Sequence, residues 1–331
     1  MRRFASRNML PAEAARRARA VLLTALTVAC SAMLLGPGRA SARPLPPSRT
    51  LLAGVVSSAS QFPSWDKAFD QRLRLRMVFQ AWAFNVDPAE VLDGPGIPMI
   101  SWEPWRPPPL GTPVGRQGAP QPAYSDAAIA DGRWDAYIRR WALAIKAHRG
   151  PVILRPMAEF NGFWYPWSRN PRQFVRAWRH IWNVFHAVGA DNVTWVWSFQ
   201  VDSNAQTGPW EQQIEQYWPG GKYVDVLGMS LLRFADGNTV PFYLAQLALA
   251  HALFGRPTMI SEANVAYGLR IPWLTQLAAA LPSLPYNQAF VWSQAPSQEQ
   301  ARAPASGDMD WDARKTPAAA SLLASIAALP R

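Results

Sequence analysis

Eight short apolar runs, rich in β-branched and aromatic residues, recur along the chain with longer helix-patterned stretches between them. They are Leu51–Ser57, Arg76–Ala83, Pro98–Trp102, Val152–Pro156, Val193–Phe199, Val224–Ser230, Thr258–Ser261 and Ala289–Ser293. Runs of this kind alternating with helical patterns predict parallel strands joined by crossover helices. Eight strands are the number that closes a (β/α)8 TIM barrel, an α/β fold that commonly takes about 250 residues as one domain.

The helical signal supports this order. Trp134, Tyr137, Ile138, Trp141, Ile145 and His148 recur at three- and four-residue steps before Gly150-Pro151. Phe174, Trp178, Ile181, Trp182, Phe185 and Val188 do the same after Asn170-Pro171, and a last helix is predicted over Pro317–Leu329. Such stripes are read as helix faces packed on the barrel. The Pro-rich segment Pro104–Pro122 follows a strand, so it belongs on the carboxyl-end face, where it either shapes a cleft or is a tolerated insertion.

The N-terminal stretch has a different character. A basic start ends at Arg19, an apolar run spans Ala20–Leu35, Gly36-Pro37-Gly38 breaks it, and Ala40-Ser41-Ala42 offers a small-x-small cleavage site. This predicts a signal peptide over 1–42 and a single domain over 43–331, exported to the periplasm or beyond. An uncleaved anchor is the alternative, although the run is shorter than the roughly 18–20 residues that span a bilayer. Cys30, the only cysteine, lies within the run, so cleavage leaves no disulfide. As a lipoprotein cysteine it would follow Leu26-Thr27-Val28-Ala29, with Thr where Leu is usual. Arg2-Arg3-Phe4 resembles a twin-arginine signal only weakly.

This partition also explains the formal charge of +11. Residues 1–42 carry seven Arg and one Glu, while the remainder holds 26 basic and 21 acidic residues without a block of like charge. A nucleic-acid partner therefore loses its main support, and nothing after the leader is long and apolar enough to span a membrane. The expected state is a monomer.

Several chemistries lack their residues. His148, His180, His186 and His251 all fall in predicted helices, whereas a metal cluster or a serine or cysteine triad needs His or Cys near strand ends. Gly220-Gly221-Lys222 lacks the strand and spacing of a phosphate loop. No metal or other cofactor is expected. Carboxylate, Trp, Asn and Arg remain at the strand ends, a set suited to sugars.

Glycoside hydrolysis needs two carboxyl groups facing each other across the bond to be cleaved. Glu159 comes just after the fourth strand and Glu262 ends the seventh, so in an eight-stranded barrel they face each other across the mouth. Their expected separation is about 5–6 Å. Other polar residues fit lesser roles. Glu103 reads as subsite or scaffold, Asp202 as a sugar contact or a turn cap, and Asp225, at the opposite end of the barrel, as structural.

The string Arg155-Pro156-x-x-Glu159-x-Asn161-Gly162-x-Trp164-x-x-Trp167, with Trp195-Val196-Trp197-Ser198, Ile260-Ser261-Glu262 and Ser101-Trp102-Glu103-Pro104-Trp105, resembles glycoside hydrolase family 26. These are β-mannanase-type retaining hydrolases of the large (β/α)8 clan, and the resemblance runs in strand order over most of residues 50–330. It implies a polysaccharide substrate, Glu159 as general acid/base, Glu262 as nucleophile and Arg155 beneath them, orienting the nucleophile. Trp164 and Trp167 would line sugar subsites and Trp292 would floor the cleft. Asn161, in the same motif, is read as a substrate-binding residue, and Trp102 and Trp105 are further candidates for sugar contact, since flat apolar rings with an N–H donor suit pyranose faces. On this reading Phe160, Phe163 and Trp164 desolvate Glu159 and raise its pKa, while Arg155 keeps Glu262 ionised.

Two departures stand out. The family's usual His before the acid/base, or the clan's Asn, is Ala158 here, and no Tyr ends the sixth strand, which reads Met229-Ser230-Leu231-Leu232-Arg233. Arg233 could supply a donor there or bind an acidic sugar. Each missing hydrogen bond would cost about 1–3 kcal/mol of transition-state stabilisation if unreplaced, so the substrate is expected to differ from plain mannan.

Overall fold

The computed structural model describes residues 45–109, 112–200, 210–233, 239–265, 267–293 and 312–331. Its strands are β1 (Leu52–Val56), β2 (Leu73–Ala81), β3 (Ile97–Glu103), β4 (Val152–Pro156), β5 (Val193–Gln200), β6 (Val226–Arg233), β7 (Thr258–Val265) and β8 (Asn287–Trp292). All eight pair in parallel with their sequence neighbours, and β1 pairs with β8 to close the barrel. The crossovers carry α1 (Phe62–Ala68), α2 (Pro88–Leu92), α3 (Asp135–His148), α4 (Pro171–Val188), α5 (Trp210–Glu215), α6 (Val240–Phe254) and α7 (Arg270–Ala280), and α8 (Pro317–Ala327) follows β8.

Strand alternation divides the apolar residues into two cores. Leu52, Leu75, Met77, Met99, Ile153, Val196, Val226, Met259 and Val291 fill the barrel. Residues of opposite parity, among them Ile100, Trp102, Leu154, Trp197, Phe290 and Trp292, join the helix stripes in the larger outer core. The α3 and α4 stripes are buried as their periodicity requires, through Tyr137, Ile138, Trp141 and Ile145, and through Phe174, Trp178, Ile181 and Phe185. Asn170 caps α4 by accepting from the Gln173 N–H, with Pro171 at the first helical position.

Above the apolar barrel layer the interior turns polar. Ser101, Arg155, Ser198, Ser230, Ser261 and Glu262 are all buried at the carboxyl ends of β3 to β7. The β6–β7 register slips between Met229 and Ser230, which pair with Ile260 and Glu262. That slip extends β7 beyond its apolar run and re-aims its polar residues. Among the described residues no helix is long and apolar enough to cross a membrane. The proposed leader, Cys30 and Asp202 lie outside the described residues.

Candidate active site

Arg155 crosses the barrel interior and organises the mouth. Its Nε donates to Ser198 Oγ at 3.0 Å, Nη1 to Ser101 Oγ at 3.2 Å and to Glu262 Oε2 at 3.3 Å, and Nη2 to Ser230 Oγ at 2.6 Å. Nη2 also stands 3.8 Å from Glu159 Oε1. A guanidinium presents five N–H donors in a fixed plane, and this one meets three serines and two carboxylates from five strands or their ends.

Parity from Met259 places Ser261 inward and Glu262 outward. The bulge brings both inside: Ser261 Oγ lies 2.9 Å from Ser198 Oγ, while Glu262 reaches Arg155 and accepts from Ser293 Oγ at 3.0 Å through Oε1. Glu159 is placed by a turn in which Met157 and Glu159 adopt positive φ, 46° and 54°. Such non-glycine conformations cost about 1–3 kcal/mol each and persist where surroundings enforce them. Here Glu159 N–H donates to Ser198 O, Met157 N–H to Trp102 O, and Trp167 Nε1 to Ala158 O.

Trp164, half-buried, donates from Nε1 to Glu159 Oε2 at 2.8 Å. Gly162 makes this possible, because a Cβ there would sit 2.3 Å from the Trp164 ring. Asn161 is fully enclosed and clasps the end of β5, donating to Gln200 O and accepting from Gln200 N–H. That clasp, rather than a sugar contact, accounts for its place in the motif.

The other tryptophans divide by parity. Trp102 is 0% exposed, packed against Trp82, Tyr137, Trp141 and Phe185. Trp292 is likewise 0% exposed in the outer core. Both face the helices, which corrects their reading as sugar contacts and the reading of Trp292 as the cleft floor. Trp167 is buried, stacked on Tyr165 and bonded to Ala158 O, so it supports the turn that carries Glu159. Trp105 is buried and donates from Nε1 to Glu103 Oε2 at 3.0 Å. Arg233 closes β6 opposite Val265, and its side chain lies outside what is described.

Glu103, read from the sequence as subsite or scaffold, belongs to the mouth, together with two residues that the motif reading passed over, Phe79 and Tyr165. Glu103 shares the inward parity of Ser101 and interacts electrostatically with Arg155, Glu159 and Glu262. Phe79 continues the inward series Leu75, Met77 and is 38% exposed. Tyr165, from the β4 loop, lies in the field of all three carboxylates, and burial together with those charges raises its phenol well above its ordinary value. It brings a phenol to a site whose sixth strand has none. Counting strand parity was the available signal for Phe79.

The electrostatics reverse one expectation. Burial pushes the Glu262 carboxyl up to about 7, outweighing the lowering by Arg155. Burial likewise raises Glu103 to about 8, against the opposing Trp105 hydrogen bond and Arg155 charge. Nor does Phe160 cover Glu159, since it stacks on Trp197 and Tyr217 in the outer core. A carboxyl with a raised native pKa favours folding at low pH and loses that contribution as pH rises toward the native value. Wild-type stability should thus fall by a few kcal/mol between about pH 5 and 8. Glu103→Gln, which keeps an acceptor for Trp105, should flatten that fall and melt higher at pH 8. Equal slopes in pH-dependent denaturation would remove Glu103 as its source.

A family model for glycosyl hydrolase family 26 matches residues 131–274, which contain Arg155, Glu159 and Glu262. The chain is 34% identical over 262 residues to endoglucanase H of Acetivibrio thermocellus, covering 72% of this chain and 27% of that protein. Over these residues the chain is similar to glycosyl hydrolase family 26. A β-1,3-xylanase of a Vibrio species is 31% identical over 139 residues, 41% of this chain and 28% of the relative. The chain thus spans about a quarter of the length of these curated relatives. A family 26 β-mannanase structure from Bacteroides ovatus shares the fold, with a TM-score of 0.53 and 16% identity over 91% of this chain and 94% of that one.

Proposed function

We propose that the protein is a retaining endo-β-glycosidase that cleaves a β-linked polysaccharide. The observation that carries this is the holding of Glu159 and Glu262, from β4 and β7, against one guanidinium in the barrel mouth. Glu159 protonates the glycosidic oxygen while ionised Glu262 attacks the anomeric carbon. Glu159 then takes a proton from the water that releases the glycosyl intermediate. Trp164 aims the Glu159 carboxyl, and Phe79 and Trp164 offer rings to the sugar. No cofactor enters the chemistry. The enzyme acts as a monomer, exported behind residues 1–42.

The substrate is a β-glucan, a mannan or a bacterial exopolysaccharide. Similarity to the endoglucanase favours the first, and Ala158 argues against plain mannan because a methyl group cannot replace the family's hydrogen-bonding side chain. Ala158 also favours a second reading, a carbohydrate-binding barrel that has lost the rate. Barley mixed-linkage β-glucan, konjac glucomannan and β-1,3-xylan separate the two. Release of reducing ends with the β-anomer first in proton NMR is expected. Gel retardation without any release would establish the binding protein instead, and an initial α-anomer would exclude retention.

A further inference from the structure

A cavity of about 460 Å³ opens beside the mouth rather than within it, between the turn after β2, Tyr124 and the start of α3. Its size lies in the range of small-molecule sites. Tyr124 and Trp134 stack at 5.0 Å and 25°, Trp134 meets Trp82 at 5.2 Å, and Arg140 lies over Tyr137 at 5.3 Å. Tyr124 and Trp134 are only half-buried, and Arg140 and Asn85 are exposed. Arg140 Nη2 donates to Asn85 Oδ1 at 2.7 Å. That bond orients both side chains without using the Asn85 amide N–H donors or the Arg140 Nε and Nη1.

Aromatic faces beside fixed donors, with no carboxylate in the lining, are the surface chemistry that recognises pyranose rings: C–H faces on the rings, hydroxyls on the donors. Phe84, between the lining residues Ala83 and Asn85 in the chain, is 63% exposed. The cavity wall is also continuous with the mouth. Ala83 N–H donates to Trp105 O, and the Trp105 indole donates to Glu103.

We infer that this cavity is a second carbohydrate site, which holds a remote stretch of the same polysaccharide whose scissile bond lies in the mouth. The inference rests on the polysaccharide reading above. Binding here raises the affinity for long chains and leaves the chemistry of short ones untouched.

Tyr124→Ala and Arg140→Ala in the full chain test it, assayed on barley β-glucan, konjac glucomannan and β-1,3-xylan and on the tetrasaccharide of whichever is cleaved. The expected result is an unchanged kcat/KM for the tetrasaccharide, with a KM for the polymer about tenfold higher and weaker gel retardation. Arg140 is exposed, so its variant keeps the test valid if Tyr124→Ala fails to fold. Polymer KM and retardation equal to wild type in a folded variant would overturn the second site alone. A wild type that neither binds nor cleaves any of the three glycans would overturn the polysaccharide reading, and this inference with it.

Discussion

Glu262→Ala should lower kcat on the preferred polysaccharide by at least about 10⁴-fold, and azide should restore turnover with an α-glycosyl azide as product. Removing the carboxylate leaves a gap below the anomeric carbon while Glu159, Trp164 and Arg155 keep their bonds. Azide entering that gap attacks the face Glu262 would have attacked, so a β-linked substrate yields the α-azide. The fold should persist, because the substitution removes a carboxyl that burial raises to about 7 and that resists ionisation in the native state. The variant's melting temperature relative to wild type should therefore be higher at pH 8 than at pH 5. Hydrolysis at the wild-type rate, or a β-azide, would take the nucleophile role from Glu262.

The strand count and the two carboxylates were legible because both follow from one-dimensional signals. Apolar runs alternating with 3.6-period stripes give the barrel, and a carboxylate at a strand's carboxyl end faces the mouth whatever the details. Which face a residue occupies was less legible. Strands covered by helices outside and packed inside are apolar on both faces, so hydrophobicity does not distinguish Trp102 from a mouth residue. Position relative to an inward anchor does. Ser101 binds Arg155, so Trp102 points to the helices and Glu103 to the mouth.

Even parity fails at Glu262. Counting from Met259 sends it outward, and only the bulge opposite Ser230 returns it to the site. A bulge leaves little trace in a single sequence, since what sets it is pairing with a neighbouring strand. The pKa order was illegible for a related reason. Arg155 and Glu262 invite an ion-pair reading, yet the guanidinium is divided among Ser101, Ser198, Ser230 and two carboxylates, and the desolvation of Glu262 exceeds its share of that charge.

Arg155 should accordingly be the least replaceable residue of the barrel, and even Arg155→Lys should fail. An ammonium carries three donors at one point, whereas the guanidinium plane spans contacts on β3, β5, β6 and β7 at once. Lysine would leave serine hydroxyls and at least one buried carboxylate without the guanidinium's hydrogen bond, and breaking a buried pair in this way costs about 3–5 kcal/mol. For a domain of this size the melting temperature should drop by roughly 10 °C, and kcat/KM by at least about 10²-fold as the two carboxylates lose their common reference. The pH profile separates electrostatics from scaffolding. As the proposed nucleophile, Glu262 must be ionised to attack, so wild-type kcat/KM should fall as pH drops through about 7. Arg155→Met removes the charge that lowers the Glu262 pKa, so its acid limb should move to higher pH, while Arg155→Lys, which keeps a charge, should move less. A Met variant with an unshifted limb would show that Arg155 only props the strands apart.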